Sequence, residues 1–227
     1  MIPLRDTIPS RTVPVVTWTL IALNLLVFAF QISSGSGVER IFGLYALTPA
    51  RLLGGESGGP ERYLPLMTSM FLHGGWLHVI GNMLYLHIFG DNVEDTIGHA
   101  RFALFYLTAG VVSALSQVVA EPGSTIPMVG ASGAVAGVLG AYFVLFHHAR
   151  IVTLVPIFIF FQAVEVPAFF FLLFWFLLQF VSGAISSGVS TASAGGVAWW
   201  AHVGGFATGL VVGLVLRVSR ASRRGRR

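Results

Sequence analysis

The sequence predicts an all-α polytopic membrane protein with six spanning helices, and three observations predict it. The 227 residues are 55% hydrophobic and only 10% charged, with a mean hydropathy of +0.82, outside the range of a soluble domain. Apolar stretches recur along the chain, most of them close to the ~20 residues that a spanning helix needs. The arginines, finally, segregate to one side of those stretches.

Spans are read at Val15–Gln31, Gly75–Gly90, Phe102–Ala120, Ala131–His147, Val166–Val181 and Ala198–Leu216. No small-x-small cleavage site follows the first, and more spans come after it, so it is expected to stay in the mature chain. The apolar run Ile151–Phe161 is short and interrupted by Pro156. With Glu165-Val166-Pro167 behind it, it reads as an interfacial segment leading into the fifth span. The chain divides into a cytoplasmic N-terminal segment (1–14), a six-helix membrane domain (15–216) and a basic cytoplasmic tail (217–227).

All 13 basic residues are arginines, and the formal net charge is +4. With the N-terminus in the cytoplasm, Arg5, Arg11, Arg101, Arg150 and every arginine from Arg217 onward lie inside. Arg40, Arg51 and Arg62 lie outside, which is a positive-inside distribution. The terminal arginines directly follow a span, so they read as an anchor at anionic lipid rather than a nucleic-acid patch. The expected location is the cell membrane, with both termini cytoplasmic and no nucleic-acid partner.

Cysteine is absent, which excludes disulfides, thiolate metal sites and a cysteine nucleophile. No H-E-x-x-H pattern is present, so neither a metal nor a cofactor is expected. What remains is a serine. Ser132, in Gly130-Ala131-Ser132-Gly133, opens the fourth span, where free helix N–H groups stabilise developing negative charge. His78 begins the second span two residues after Trp76, and His202 begins the sixth two residues after Trp200. All three spans enter from the outside, and tryptophan favours the membrane–water interface. Ser132, His78 and His202 therefore share one depth, about one turn below the outer surface. Taken alone, Ser132 and the glycines near it read more readily as packing glue. Yet Gly133, Gly137 and Gly140 share a face of the fourth span, and Gly205, Gly209 and Gly213 repeat along the sixth. Such stripes let helices approach closely in lipid and would bring His202 to Ser132.

These motifs resemble those of the rhomboid intramembrane serine proteases. Gly130-Ala131-Ser132-Gly133 is similar to the family's G-x-S-G, and His78 with Asn82 to its H-x-x-x-N. Ala201-His202-Val203-Gly204-Gly205 with Gly209 is similar to its A-H-x-x-G-x-x-x-G. The resemblance runs from about Val15 to Leu216 and implies a six-helix rhomboid-like bundle. Two positions depart from the pattern: Ala136 stands where some members carry an aromatic that packs on the histidine, and Arg62-Tyr63 is the nearest equivalent of a Trp-Arg pair in the first outer loop.

Residue types then suggest the chemistry. Ser132 is the expected nucleophile and His202 the general base, with no carboxylate placed to complete a triad. The backbone N–H at Ser132 and the side chains of His78 and Asn82 are the expected oxyanion hole. His78 and Asn82, four apart, project from one helix face. The expected partners are membrane lipid and single-span or other transmembrane protein substrates. The loop Ser182–Val197 reads as a mobile cap, and the aromatic fifth span either as a side gate or as a lipid-facing helix. A non-catalytic rhomboid-like binding module is the competing reading, and retention of both Ser132 and His202 argues against it. A transporter would need repeats or charged residues at the bilayer midplane, which are not evident.

Overall fold

The computed structural model describes residues 2–54, 59–157, 160–186 and 198–224. Its long helices are α1 (Val15–Ser33), α5 (Trp76–Ile97), α6 (His99–Ala120), α7 (Ser132–Leu145), α8 (Ala168–Ser186) and α9 (Trp199–Arg224). Between α1 and α5 lie three short ones: α2 (Val38–Tyr45), α3 (Pro49–Leu53) and α4 (Pro65–Thr68). By length and composition, α1, α6, α8 and α9 can each cross a membrane. Two of the expected spans do not reach that standard by themselves. α5 is diluted by His78, Asn82, His87, Asp91 and Asn92, and α7 has 14 residues. At 1.5 Å per residue α7 is ~21 Å long, shorter than the hydrocarbon core.

α7 can be short because it is interior. Every residue from Gly133 to Tyr142 is buried. Its most extensive partner is α9, and α6 and α5 flank it. The α7–α9 contact is backbone against backbone. A Cβ at Gly205 would collide with the Gly133 carbonyl, and one at Gly209 with the Gly137 carbonyl. On the α7 side, a Cβ at Gly140 would strike the Phe206 carbonyl. Glycine is required at these positions by the approach distance, and the helices gain dispersion contact along the whole seam.

α5 runs seven residues past the expected Gly90, and a buried carboxylate explains why. Glu94 is fully buried on α5 and accepts from the Val16 N–H at 2.9 Å and the Thr17 N–H at 2.8 Å. It also accepts from the Thr17 hydroxyl at 2.7 Å and meets His99 Nδ1 at 2.5 Å. Four partners satisfy the carboxylate, and two of them are the free N–H groups that open α1. An acid that looks like a loop residue is thus a helix cap supplied from another helix.

The all-α expectation fails at one end of the bundle. Strands β1 (Ile2–Asp6), β2 (Arg150–Ile157) and β3 (Phe160–Pro167) form an antiparallel sheet in the order β1-β2-β3. The described residues of the expected interfacial segment Ile151–Phe161 are therefore strand, and the N-terminal segment contributes an edge partner. Ile151, Val152, Thr153, Val155, Val164 and Val166 are β-branched, which suits a pleated surface. Pro3 sits on an edge strand beside a register shift, where the missing N–H costs no ladder bond. Asp6 ties the sheet to the bundle by accepting from Tyr142 Oη at 2.5 Å and Asn92 Nδ2 at 2.9 Å. Glu165 pairs with Arg150 at 3.8 Å on the exposed side.

Two other boundaries move. α8 continues through Ser186, so the expected Ser182–Val197 loop starts later than read, and its residues 187–197 lie outside the described ones. α9 continues to Arg224, with no break at Arg217 where the basic tail was expected to begin.

Candidate active site

Three helices meet around Ser132. The loop ahead of α7 is fixed by the Gly130 N–H, which donates to the Ser69 carbonyl at 2.9 Å. Gly130 has φ +122°, a conformation that side-chain-bearing residues avoid. A Cβ there would also lie 2.6 Å from the His78 ring. Glycine is needed twice over, once for the turn and once for the close pass of His78. Ser132 is the first residue of α7, so its N–H is among those with no partner inside the helix.

His202 lies in the first turn of α9 and is buried. That turn is pinned by Gln117 of α6, whose Oε1 accepts from the Ala201 N–H at 3.2 Å. The His202 Nε2 atom lies 2.8 Å from Ser132 Oγ. Its other ring nitrogen, Nδ1, lies 2.7 Å from Gln179 Oε1 on α8. Aromatic neighbours replace the one missing at Ala136: the Trp175 ring is 6.0 Å from the His202 ring and the Trp199 ring 6.2 Å.

From α5, His78 and Asn82 face the same space. His78 Nδ1 is 3.5 Å from the Gly74 N–H, which leaves Nε2 as the donor on the Gly130 side. Asn82 is buried, and its Nδ2 has no hydrogen-bond partner among the described residues. A buried donor left open is costly unless something else fills it. These groups border a cavity of about 500 Å³, with Ser132, His202, His78, Asn82, Trp175 and Gln179 in its wall. Leu77, 89% exposed, stands at its rim, so the cavity reaches the surface.

Four residues proposed from sequence are thus brought to one cavity. Gln179 and Gln117 were not singled out. A lone glutamine on an apolar helix is a usable signal, since a buried amide must find a partner. Neither, however, has a fixed sequence spacing to His202. The remaining histidines lie elsewhere. His73 stands edge-on to His78 at 5.2 Å and His147 edge-on to His148 at 5.4 Å, while His87 lies tilted against Trp18 at 5.0 Å. No group of three His, Asp or Glu able to hold a metal occurs among the described residues.

A family model for the rhomboid domain matches residues 60–219. The chain is 35% identical over 130 residues to the rhomboid protease GluP of Bacillus subtilis (strain 168), covering 56% of this chain and 24% of that protein. It is 32% identical over 160 residues to RHOMBOID-like protein 4 of Arabidopsis thaliana, covering 67% of this chain and 34% of that one. It is also 30% identical over 86 residues to inactive rhomboid protein 1 of Drosophila melanogaster, covering 38% of this chain and 6% of that protein. The chain thus spans about a quarter of GluP and a third of the plant relative. The apolar helices and this match define a membrane protein, and the chain belongs to the rhomboid family.

Proposed function

We propose that the protein is an intramembrane serine endopeptidase that hydrolyses peptide bonds in or near transmembrane segments through a Ser132–His202 dyad. The observation that carries this reading is the 2.8 Å approach of His202 Nε2 to Ser132 Oγ at the wall of a cavity that reaches the surface. Ser132 passes its hydroxyl proton to Nε2 as Oγ bonds to the substrate carbonyl carbon. The carbonyl oxygen becomes an oxyanion, held by the Ser132 N–H, Asn82 Nδ2 and His78 Nε2. The C–N bond then breaks, and the leaving amine takes the proton from His202. Water, activated by the same base, hydrolyses the acyl-enzyme and restores the serine.

The same reading places six spans in the cell membrane, α5 and α7 crossing with the four longer helices. It puts both termini in the cytoplasm and opens the cavity to the outer face. The N-terminal residues 1–14, the membrane domain 15–216 and the basic tail 217–227 keep their assigned sides. Substrates are single-span or other transmembrane proteins, and no nucleic acid, metal or cofactor takes part. A non-catalytic rhomboid-like binding module is the alternative, favoured by the similarity to a relative named inactive.

A serine-reactive fluorophosphonate probe separates the two. Labelling of the purified protein, lost in Ser132→Ala, together with cleavage of a single-span substrate in its outer half, is the expected result. Helical carbonyls are already hydrogen-bonded, so Gly or Pro near the scissile bond should speed cleavage. Unlabelled wild type leaves the binding module. A cut on the cytoplasmic side overturns the topology.

A further inference from the structure

The proposed reaction requires one specific tautomer of His202. Nε2 must carry a lone pair to accept the Ser132 proton, so Nδ1 must hold the ring hydrogen. In a Ser-His-Asp triad a buried carboxylate sets that tautomer. Among the described residues no carboxylate pairs with His202; its Nδ1 instead points at the Gln179 side-chain oxygen, 2.7 Å away. An amide oxygen can only accept, so this contact requires Nδ1 to carry the ring hydrogen and donate it, which leaves the Nε2 lone pair free.

The helix that supplies the amide matters as much as the bond. Ser132 and His202 sit on α7 and α9, which interlock through glycine. Gln179 sits on α8, which packs against that pair far more thinly. Its outer surface exposes Phe170, Phe174, Leu177 and Leu178. Trp175, one turn before Gln179, shares the cavity wall and stacks near the same imidazole.

We propose that Gln179 is the positioning residue of the site: by accepting the Nδ1 hydrogen of His202 it selects the tautomer able to act as base, and it does so only while α8 is seated against α9. Displacement of α8 removes the acceptor, so the position of this helix and the basicity of the dyad are coupled. The inference rests on the protease reading and adds to it a member outside the reacting pair.

The test compares wild type, Ser132→Ala, Gln179→Ala and Gln179→Glu on a single-span substrate in vesicles, with thermal unfolding recorded for each. Gln179→Ala should lower kcat by about 10–100-fold, the loss typical of removing the hydrogen-bond partner that orients a functional imidazole. KM should change by less than about threefold, because the amide does not contact the reacting carbonyl. Gln179→Glu restores an acceptor and adds a charge. It should recover most of kcat at alkaline pH and move the acid limb of the kcat/KM profile upward by about one pH unit. A side chain at position 179 that faces away from the imidazole would not move that limb.

If Gln179→Ala fails to fold, the Gln179→Glu profile alone decides. Wild-type kcat in Gln179→Ala, or an unmoved acid limb in Gln179→Glu, overturns the inference while active wild type and inert Ser132→Ala leave the protease reading standing. Inert wild type, or an active Ser132→Ala, overturns both.

Discussion

Ser132 and His202 are 70 residues apart in sequence and 2.8 Å apart in space, and the contact joins the first turns of two helices that touch through their backbones. Residues that transfer one proton between them act as a unit. Ser132→Ala and His202→Ala should each abolish cleavage, and the double variant should be little worse than either alone. Rates are read on a single-span substrate, with circular dichroism to verify that the helices are retained. Multiplicative losses would mean that the two side chains act independently.

Asn82 offers a buried amide with no partner at the edge of the cavity. Asn82→Ala should lower kcat by ~10²–10³, the usual consequence of removing one oxyanion donor. Apparent affinity should change much less. A fall in affinity with kcat preserved would make Asn82 a substrate contact instead.

The α7–α9 seam should be intolerant of a single methyl group. Gly205→Ala pushes a Cβ into the Gly133 carbonyl, next to the serine. Overpacking against backbone typically costs ~1–3 kcal/mol. Both the unfolding temperature and the activity should fall, whereas Gly43→Ala, with open space around its added carbon, should change neither. Equal behaviour of the two variants would contradict the packing described.

Glu94 closes α1 from a different helix. Glu94→Ala leaves the buried Thr17 N–H and the half-buried Val16 N–H without an acceptor, at ~1–3 kcal/mol for the buried one and less for the other. Loss of several degrees in thermal unfolding is expected, and Glu94→Gln, which keeps one acceptor oxygen, should recover part of it. An unchanged unfolding temperature in Glu94→Ala would show that solvent satisfies the end of α1.

Stability should also depend on pH through His73, in the loop ahead of α5. Burial, with the neighbouring His78, pushes its pKa from 6.5 down to about 4. The unfolded chain therefore binds this proton at a higher pH than the folded one. Stability is full above about pH 6.5 and falls as the pH drops from there towards 4. His73→Phe should flatten that part of the unfolding profile, which equilibrium denaturation at stepped pH would reveal.

Much of this site was legible because membranes impose simple rules. The tryptophans two residues ahead of His78 and His202 pointed to these residues together with Ser132, and glycine spacing indicated which helices meet. Gln179 was not legible, because its relation to His202 depends on how α8 lies beside α9, and no pattern in the chain encodes that angle. The end of α5 was hidden for a related reason. Asp91, Glu94 and Asp95 look like a loop until α1, distant in sequence, supplies the N–H groups that satisfy Glu94. The strands were missed because an apolar run with β-branched residues and one proline fits an interfacial segment equally well. Only the pairing of β2 with β1 and β3 distinguishes them.

α7 is buried along almost all of its length, while α1 and α8 leave most of theirs exposed. Bilayers differ in thickness by several ångströms, and a helix whose length does not match responds by tilting or by drawing lipid towards it. That stress falls on the outer helices. Ser132 and His202 stand on helices that meet backbone to backbone through glycine, so their separation should be insensitive to such stress. On the protease reading proposed above, differences in rate between membranes should therefore arise from α8, whose Gln179 Oε1 accepts from His202 Nδ1.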